Sequence, residues 1–149
     1  MSGSGLSSRA TLLQHQQQRI APLLEINDPQ RRLARLVEEA RRHPPLEDAL
    51  RTEVHRVEGC LVRVWFVPDF RAGQCSFRCD SDAASLKAVG GLLCELYSGA
   101  APREIVSTNV GVLQPLGLLH QLAESRQRTI ARIEEKIREF AKARLTRAD

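Results

Sequence analysis

The stretch from Val57 to Pro68 constrains the fold most, because it joins a glycine–cysteine turn to a continuous apolar run. Its residues alternate in two sets that are both apolar apart from one arginine: Val62, Val64 and Phe66 in one set, and Arg63, Trp65 and Val67 in the other. This pattern predicts a strand that is covered on both faces. Gly59 has no Cβ and adopts positive φ easily, so it allows a sharp turn that presents the Cys60 sulfur at the edge of a sheet.

The charged residues around Cys60 favour a reactive thiol. His55, Arg56 and Arg63 lie within five positions of it, and two glutamates partly offset them. Nearby cations favour the thiolate, which is the nucleophilic form of cysteine. Free cysteine is also among the most buried residue types, so these residues alone leave an inert core cysteine open as well.

Further motifs follow Cys60 in a fixed order. They are Gly73 in a turn, Asp80-Ser81-Asp82-Ala83 ahead of a helix, Lys87 early in that helix, Leu96-Tyr97-Ser98-Gly99, and Pro102-Arg103-Glu104-Ile105. Together with Val57, Gly59, Cys60, Val64 and Trp65 they resemble the SufE family of sulfur-acceptor proteins, and the similarity runs from about Glu25 to about Phe140.

The sequence departs from the family pattern at several positions. Leu61-Val62 stands where the family has Gln-Ser, and Ala88 replaces a glycine after Lys87. The family's late Leu-Ser-Pro-Ser-Arg-x-Asn-Gly-Leu is rendered here as the nine residues from Leu122 to Ile130. Within that segment, Arg126 matches the arginine of the family's Ser-Arg pair.

The resemblance implies a fold and a function. The implied fold is α+β, SufE/IscU-like, with a small antiparallel sheet of about three strands packed by helices. The implied function is that of a sulfur carrier and not of an enzyme. In it, a SufS-type, pyridoxal-phosphate-dependent cysteine desulfurase passes persulfide sulfur to Cys60, which stimulates the desulfurase. Cys60 then delivers the sulfur to scaffold proteins of iron–sulfur cluster assembly. Asp82 and Arg126 are the implied partner-facing residues.

Length and composition restrict the remaining classes. The 149 residues suit one domain, with residues 1–24 as a flexible Ser-, Gly- and Gln-containing segment and residues 25–149 as a single SufE-like domain. No apolar stretch approaches the ~20 residues of a membrane helix, and the first residues lack an apolar signal core, so a cytoplasmic protein is expected. The net charge of +4 lies mainly on the last helix, among glutamates, and aromatic residues make up 4%, which argues against nucleic-acid binding. The sequence leaves homodimer formation open.

Local patterns place the other elements. Asp28-Pro29 begins a helix and His43-Pro44-Pro45 ends it. Residues 68–73 form a turn, and Gln74–Cys79 returns as a strand with the cysteines and Phe77 on its inner face. A helix follows from Asp82 to about Tyr97, in which Gly90-Gly91 indicates a close crossing by another backbone. The last helix spans about Ser125 to Leu145.

The four cysteines also allow a metal hypothesis. In this alternative, Cys60, Cys75 and Cys79 bind a metal ion or act as an iron–sulfur scaffold. The C-x3-C pair lies on one strand, which would separate its sulfurs by about 13 Å, so core positions are the favoured interpretation for Cys75 and Cys79. The sequence contains no P-loop and no GxGxxG motif, and it predicts no resident cofactor or metal. A third alternative is an adaptor whose cysteine is incidental.

Overall fold

The fold is built around one central helix and a β-hairpin that packs against it. The structure is a computed structural model that describes residues 3–148, with side chains described for residues 12–145. In chain order the helices are α1 (Gly3–Leu24), α2 (Pro29–Arg41), α3 (Ala84–Tyr97), α4 (Pro102–Ser107) and α5 (Glu124–Ala148), and the strands are β1 (Val64–Arg71) and β2 (Gln74–Ser81). Helix α3 contacts β2, α2, α5 and α1, so its residues form the middle of the core.

Strand β1 is covered on both faces, as its sequence pattern predicts. Val64 and Phe66 face the main core, whereas Trp65 and Val67 pack with Leu46 in a second apolar cluster. On β2 the alternation is regular from Gln74 to Arg78, with Cys75 and Phe77 buried between exposed neighbours. This sidedness favours one register, since a one-residue slip of β2 would turn Cys75 and Phe77 to the exposed face.

The sheet has two antiparallel strands, fewer than the predicted three or so. The segment before β1 adds only an isolated bridge, between Arg56 and Trp65, and a short 3₁₀ turn at Glu53–His55. The hairpin turn is also shorter than predicted, because β1 continues through Pro68 to Arg71 and only Ala72 and Gly73 form the turn. Both turn residues have positive φ, as the favoured two-residue hairpin turn requires. The predicted α+β class is confirmed.

Helix α1 corrects the prediction of a flexible segment over residues 1–24. It is helical from Gly3, and Leu12, Ile20 and Leu23 are buried against the rest of the fold. The buried Gln16 amide donates to the Leu96 carbonyl oxygen at 3.1 Å. The sequence predicts disorder or a frayed helix there, because the apolar residues are sparse and separated by glutamines, so the buried stripe carries little hydrophobic signal. Residues 1 and 2 lie outside the described part of the chain.

The remaining helices follow their local signals. Asp28 caps α2 by accepting from the Gln30 N–H at 3.0 Å. Helix α5 begins at Glu124 and buries Ile130, Ile133 and Ile137 against α3. None of the helices in the described part of the chain has the length and apolar character of a membrane span.

Candidate functional site

Cys60 lies on a short loop that is closed at its base. The Val57 N–H donates to the Val64 carbonyl oxygen at 2.8 Å, next to the bridge between Arg56 and Trp65. Gly59 has φ +82°, so the positive φ predicted there is confirmed. A Cβ at Gly59 would meet no atom within 4 Å, which means that backbone conformation and not space requires glycine here.

The Cys60 thiol is half-buried and faces helix α5. Its Sγ lies 3.3 Å from Thr129 Oγ1 and 4.0 Å from the Glu58 carbonyl oxygen. Thr129 itself is buried and contacts the Ser125 carbonyl oxygen at 3.2 Å. No sequence pattern indicated this contact, because Cys60 and Thr129 are 69 residues apart and only the packing of α5 brings them together.

A groove of about 850 Å³ opens beside the Cys60 sulfur. The Cys60 loop, α2, the start of α3 and the start of α5 form its walls. Its apolar lining includes Leu33, Val62, Leu86 and Leu122, and its polar lining includes Ser85, Thr129, Arg126, Arg128 and Arg132. The groove therefore places the thiol between an apolar wall and a basic wall.

Of the apolar side chains that follow Cys60 in the sequence, only some can shelter its sulfur. Val62 packs against the core and lines the groove. Leu61 stands at the rim and is 92% exposed, whereas Trp65 is buried in the second cluster on the other face of β1. The reason is the strand alternation itself, since Trp65 and Val64 point to opposite faces.

The cations near Cys60 in sequence are engaged elsewhere. His55 Nδ1 lies 3.0 Å from the Leu50 carbonyl oxygen, and Arg56 pairs with Glu53 at 3.3 Å. The positive charge at the groove comes instead from α5, through Arg126, Arg128 and Arg132. Sequence motifs pointed to Arg126 only, and the other two arginines were missed because they belong to a helix with alternating charge, which is typical of a solvated face.

Arg126 lines the Cys60 groove, whereas Asp82 lies outside that groove. Arg126 donates to Ser85 Oγ at 2.8 Å and so connects α5 to the first turn of α3. The Asp82 carboxylate pairs with Arg63 at 2.7 Å and with Arg51 at 3.3 Å. Because Arg63 belongs to the segment that follows Cys60, Asp82 borders the cysteine loop without lining the groove.

Asp80, the first residue of the Asp80-Ser81-Asp82-Ala83 motif, has a structural role. Its buried carboxylate accepts from the Leu46 N–H at 3.0 Å and from the Ser81 N–H at 2.8 Å. Arg51 lies 3.7 Å away and stacks over the Trp65 ring at 4.3 Å. These contacts attach the segment between α2 and β1 to the face of the hairpin that carries Trp65. Asp80 therefore stabilises the end of the hairpin from which the cysteine loop extends.

The other cysteines occupy different surroundings. Cys75 and Cys94 are buried, as predicted, and burial raises the pKa of the Cys75 thiol to about 11. Burial also raises the pKa of Cys94, and the adjacent Cys79 thiol adds to that effect. Within the described residues no three His, Cys, Asp or Glu side chains are grouped closely enough to hold a metal ion. The three-cysteine metal site of the alternative hypothesis, which needs Cys60, Cys75 and Cys79 together, is therefore not formed.

Comparisons with known proteins identify relatives of this chain. The family model described as SufE, the Fe-S metabolism associated domain, matches residues 17–141. An uncharacterised SufE-like protein of Synechocystis sp. is 28% identical over 66% of this chain, and the chain spans 62% of that protein's length. An uncharacterised SufE-like protein of Rhizobium etli is 28% identical over 80% of this chain and 84% of its own.

A solved structure supports the fold independently. The solution structure of a hypothetical protein from Thermus thermophilus superimposes with a TM-score of 0.70, covering 89% of this chain and 96% of that one, at 22% sequence identity. At this identity the likeness concerns the fold alone. The family model covers most of the chain, and with it the cysteine loop, the hairpin and the greater part of α5. The chain therefore belongs to the SufE family of Fe-S metabolism associated domains.

Proposed function

We propose that this chain is a sulfur acceptor and carrier that works on Cys60. It takes persulfide sulfur from a SufS-type cysteine desulfurase, stimulates that enzyme by clearing its cysteine, and passes the sulfur to scaffold proteins that build iron–sulfur clusters. The observation that carries the proposal is the half-buried Cys60 thiol, held on a glycine turn at the mouth of a groove. Membership of a family associated with Fe–S metabolism supports the same role.

The proposed transfer is a thiolate exchange with no net oxidation. The Cys60 thiolate attacks the outer sulfur of the desulfurase persulfide, and a new sulfur–sulfur bond forms on Cys60. The sulfur–sulfur bond of the donor breaks, and its inner sulfur leaves as the thiolate of the desulfurase cysteine. Such an exchange needs a thiolate and free access, and its rate depends on both partners.

The groove supports the carrier half of the proposal. A persulfide extends the side chain by one sulfur, about 2 Å beyond Sγ. The apolar wall at Leu33 and Leu86 would limit contact of that sulfur with water-borne reductants, and the basic wall at Arg126 suits its negative charge. The chain then acts as an accessory protein to a desulfurase and has no small substrate of its own.

Asp82 and Arg126 complete the proposal as residues of the partner-facing surface. Both lie near the cysteine loop, Asp82 through its pair with Arg63 and Arg126 through the groove wall. Charges at the border of an interface guide encounter and register more than they add affinity. A cytoplasmic location, where thiols stay reduced, suits a carrier with a free reactive cysteine.

The test is mass spectrometry of the protein after incubation with a cysteine desulfurase and free cysteine. Wild type is expected to gain the mass of one sulfur atom on the peptide that contains Cys60. Cys60→Ser is expected to gain none and to lose stimulation of the desulfurase, whereas the matched control Cys79→Ser retains both. Sulfur on the Cys75, Cys79 or Cys94 peptides, or full stimulation by Cys60→Ser, would contradict the proposal.

A further inference from the structure

Thr129 is the side chain that contacts the Cys60 sulfur from helix α5. Its hydroxyl lies 3.3 Å from Sγ and the residue is buried, so the contact is made inside the groove wall. In the late motif of the family pattern the corresponding position holds glycine, whereas this chain has threonine. The hydroxyl is thus a feature of this chain and not of the pattern.

The Thr129 hydroxyl has one proton and two neighbours that compete for it. One is the Cys60 sulfur, and the other is the Ser125 carbonyl oxygen, which lies 3.2 Å from Oγ1. While Cys60 is a thiol, the hydroxyl proton goes to the Ser125 carbonyl, and Oγ1 can accept from the S–H. Once Cys60 is a thiolate it can only accept, and the hydroxyl turns its proton to the sulfur.

The two arrangements differ in strength. A thiol is a weak hydrogen-bond donor, whereas a hydrogen bond to an ionised acceptor is roughly twice as strong as a neutral one. The second neighbour of Cys60, the Glu58 carbonyl oxygen at 4.0 Å, is an acceptor and can stabilise only the thiol. The Thr129 hydroxyl is therefore the contact that favours the attacking form of Cys60.

We propose that Thr129 is a positioning residue for Cys60, which holds the thiol against α5 at rest and donates a hydrogen bond to the thiolate that attacks the donor persulfide. This inference rests on the proposed function of Cys60 as the acceptor. It adds a specific group on α5 that prepares the sulfur for attack before any partner arrives.

The charged groups that face Cys60 must stay constant in a test of this idea. On the cysteine loop this group is Glu58, and on α5 the groups are Arg126, Arg128 and Arg132. The groove residues contributed by α2 and α3 are Leu33, Ser85 and Leu86, which carry no charge. Substitutions at Thr129 leave all of these side chains in place.

The experiment measures alkylation of Cys60 by iodoacetamide as a function of pH, with peptide mapping to separate Cys60 from the other cysteines. Thr129→Val removes the hydroxyl with little change in volume, and Thr129→Ser keeps it. The valine variant is expected to react about three- to tenfold more slowly at neutral pH, with the pH midpoint of alkylation moved upward by about 0.5 to 1. The serine variant is expected to restore the wild-type midpoint.

The midpoint separates a positioning role from a merely structural one. Greater exposure of Cys60 alone would speed alkylation and would move the midpoint downward if it moved it at all, because burial raises the pKa of a thiol. Equal midpoints for wild type and Thr129→Val, or a serine variant that behaves like valine, would overturn the inference. If the valine variant does not fold, as circular dichroism would show, Thr129→Ala provides the same comparison.

The desulfurase assay distinguishes this inference from the proposed function. Sulfur on Cys60 of wild type together with equal alkylation midpoints overturns the role of Thr129 alone. Shifted midpoints without any sulfur on Cys60 support the role of Thr129 and contradict the carrier function.

Discussion

Gly90 of α3 lies directly against Cys79 of β2, so that a Cβ at Gly90 would stand 2.8 Å from the Cys79 sulfur. Real Cβ atoms do not approach so closely, which explains why the helix has glycine here despite its poor helix propensity. The sequence predicts a close crossing of another backbone at Gly90-Gly91, whereas the close neighbours of Gly90 are the side chains of Cys79 and Ile133. At Gly91 a Cβ would meet no atom within 4 Å.

Gly90→Ala is expected to lower the free energy of unfolding by about 1 kcal/mol, because a packing cost of about 1–3 kcal/mol exceeds the gain in helix propensity of about 1 kcal/mol. Gly91→Ala, the matched control, is expected to raise it by up to about 1 kcal/mol. Urea unfolding measures the free energy of unfolding of both variants. Combining Gly90→Ala with Cys79→Ala removes the clashing sulfur, so the two changes should be less costly together than the sum of their separate effects. If the effects of the two substitutions simply added in the double variant, the contact between Gly90 and Cys79 would be contradicted.

Alkaline pH is expected to destabilise the fold through Cys75. Burial raises the pKa of Cys75 from 9.0 to about 11, so the folded state holds the proton more tightly than the unfolded chain. The resulting stabilisation is present below pH 9.0 and is lost as the pH rises through about 11. Urea unfolding across this window should show a steeper fall for wild type than for Cys75→Ala.

Tyr97 extends the same effect to higher pH. Burial, together with the neighbouring Glu134, raises its pKa from 10.0 to about 12, so its contribution is present below pH 10.0 and is lost as the pH rises through about 12, in both proteins alike. The difference between wild type and Cys75→Ala therefore isolates the cysteine. Parallel curves for the two proteins would show that Cys75 titrates in the folded protein as it does in the unfolded chain.

Reversing the charge at Asp82 is expected to weaken desulfurase binding by about fivefold at low salt, with a smaller effect at high salt, because charges at an interface rim are screened by ions. The two exposed ion pairs lost with Asp82 cost about 0–1 kcal/mol each, so the fold should persist. Calorimetric titration of Asp82→Arg at two salt concentrations measures the change.

Asp69 offers the matched control for Asp82. It is also exposed and ion-paired, with Arg71, but it lies near the hairpin turn at the opposite end of β1 from the cysteine loop. Asp69→Arg changes the net charge equally and is expected to leave binding unchanged. Equal weakening by both variants would indicate a general charge effect and remove Asp82 from the docking surface.

Those parts of the fold that depend on local periodicity could be predicted from the sequence. The two-sided burial of β1 and the cap at Asp28 follow from residues adjacent in the chain. The extent of β1 could not be predicted, because Pro68 and Asp69 indicate a turn. A two-stranded ribbon accommodates a proline, since half of its amide groups face away from the partner strand. Ala72-Gly73 also lacks the Asn-Gly or Asp-Gly signature of such turns.

Part of the candidate site could likewise be predicted from the sequence, and part could not. Cys60 and Gly59 could be predicted because the turn and the strand are contiguous. The contacts of Cys60 with Thr129 and of Arg126 with Ser85 depend on where α5 crosses the start of α3. That crossing is set by burial of Ile130 and Ile133 along the whole helix, and no local pattern contains it.

The closed base of the cysteine loop limits how far the sulfur can travel. Val57 and Val64 are joined by a hydrogen bond, so Cys60 is tethered three residues from one anchor and four from the other. A fully extended chain advances at most about 3.5 Å per residue, which gives the loop a reach of about 10 Å without opening β1. In the proposed exchange, the donor sulfur therefore lies within about 10 Å of the partner's docking face. A deeper donor sulfur would require the partner to separate Val64 of β1 from Val57 first.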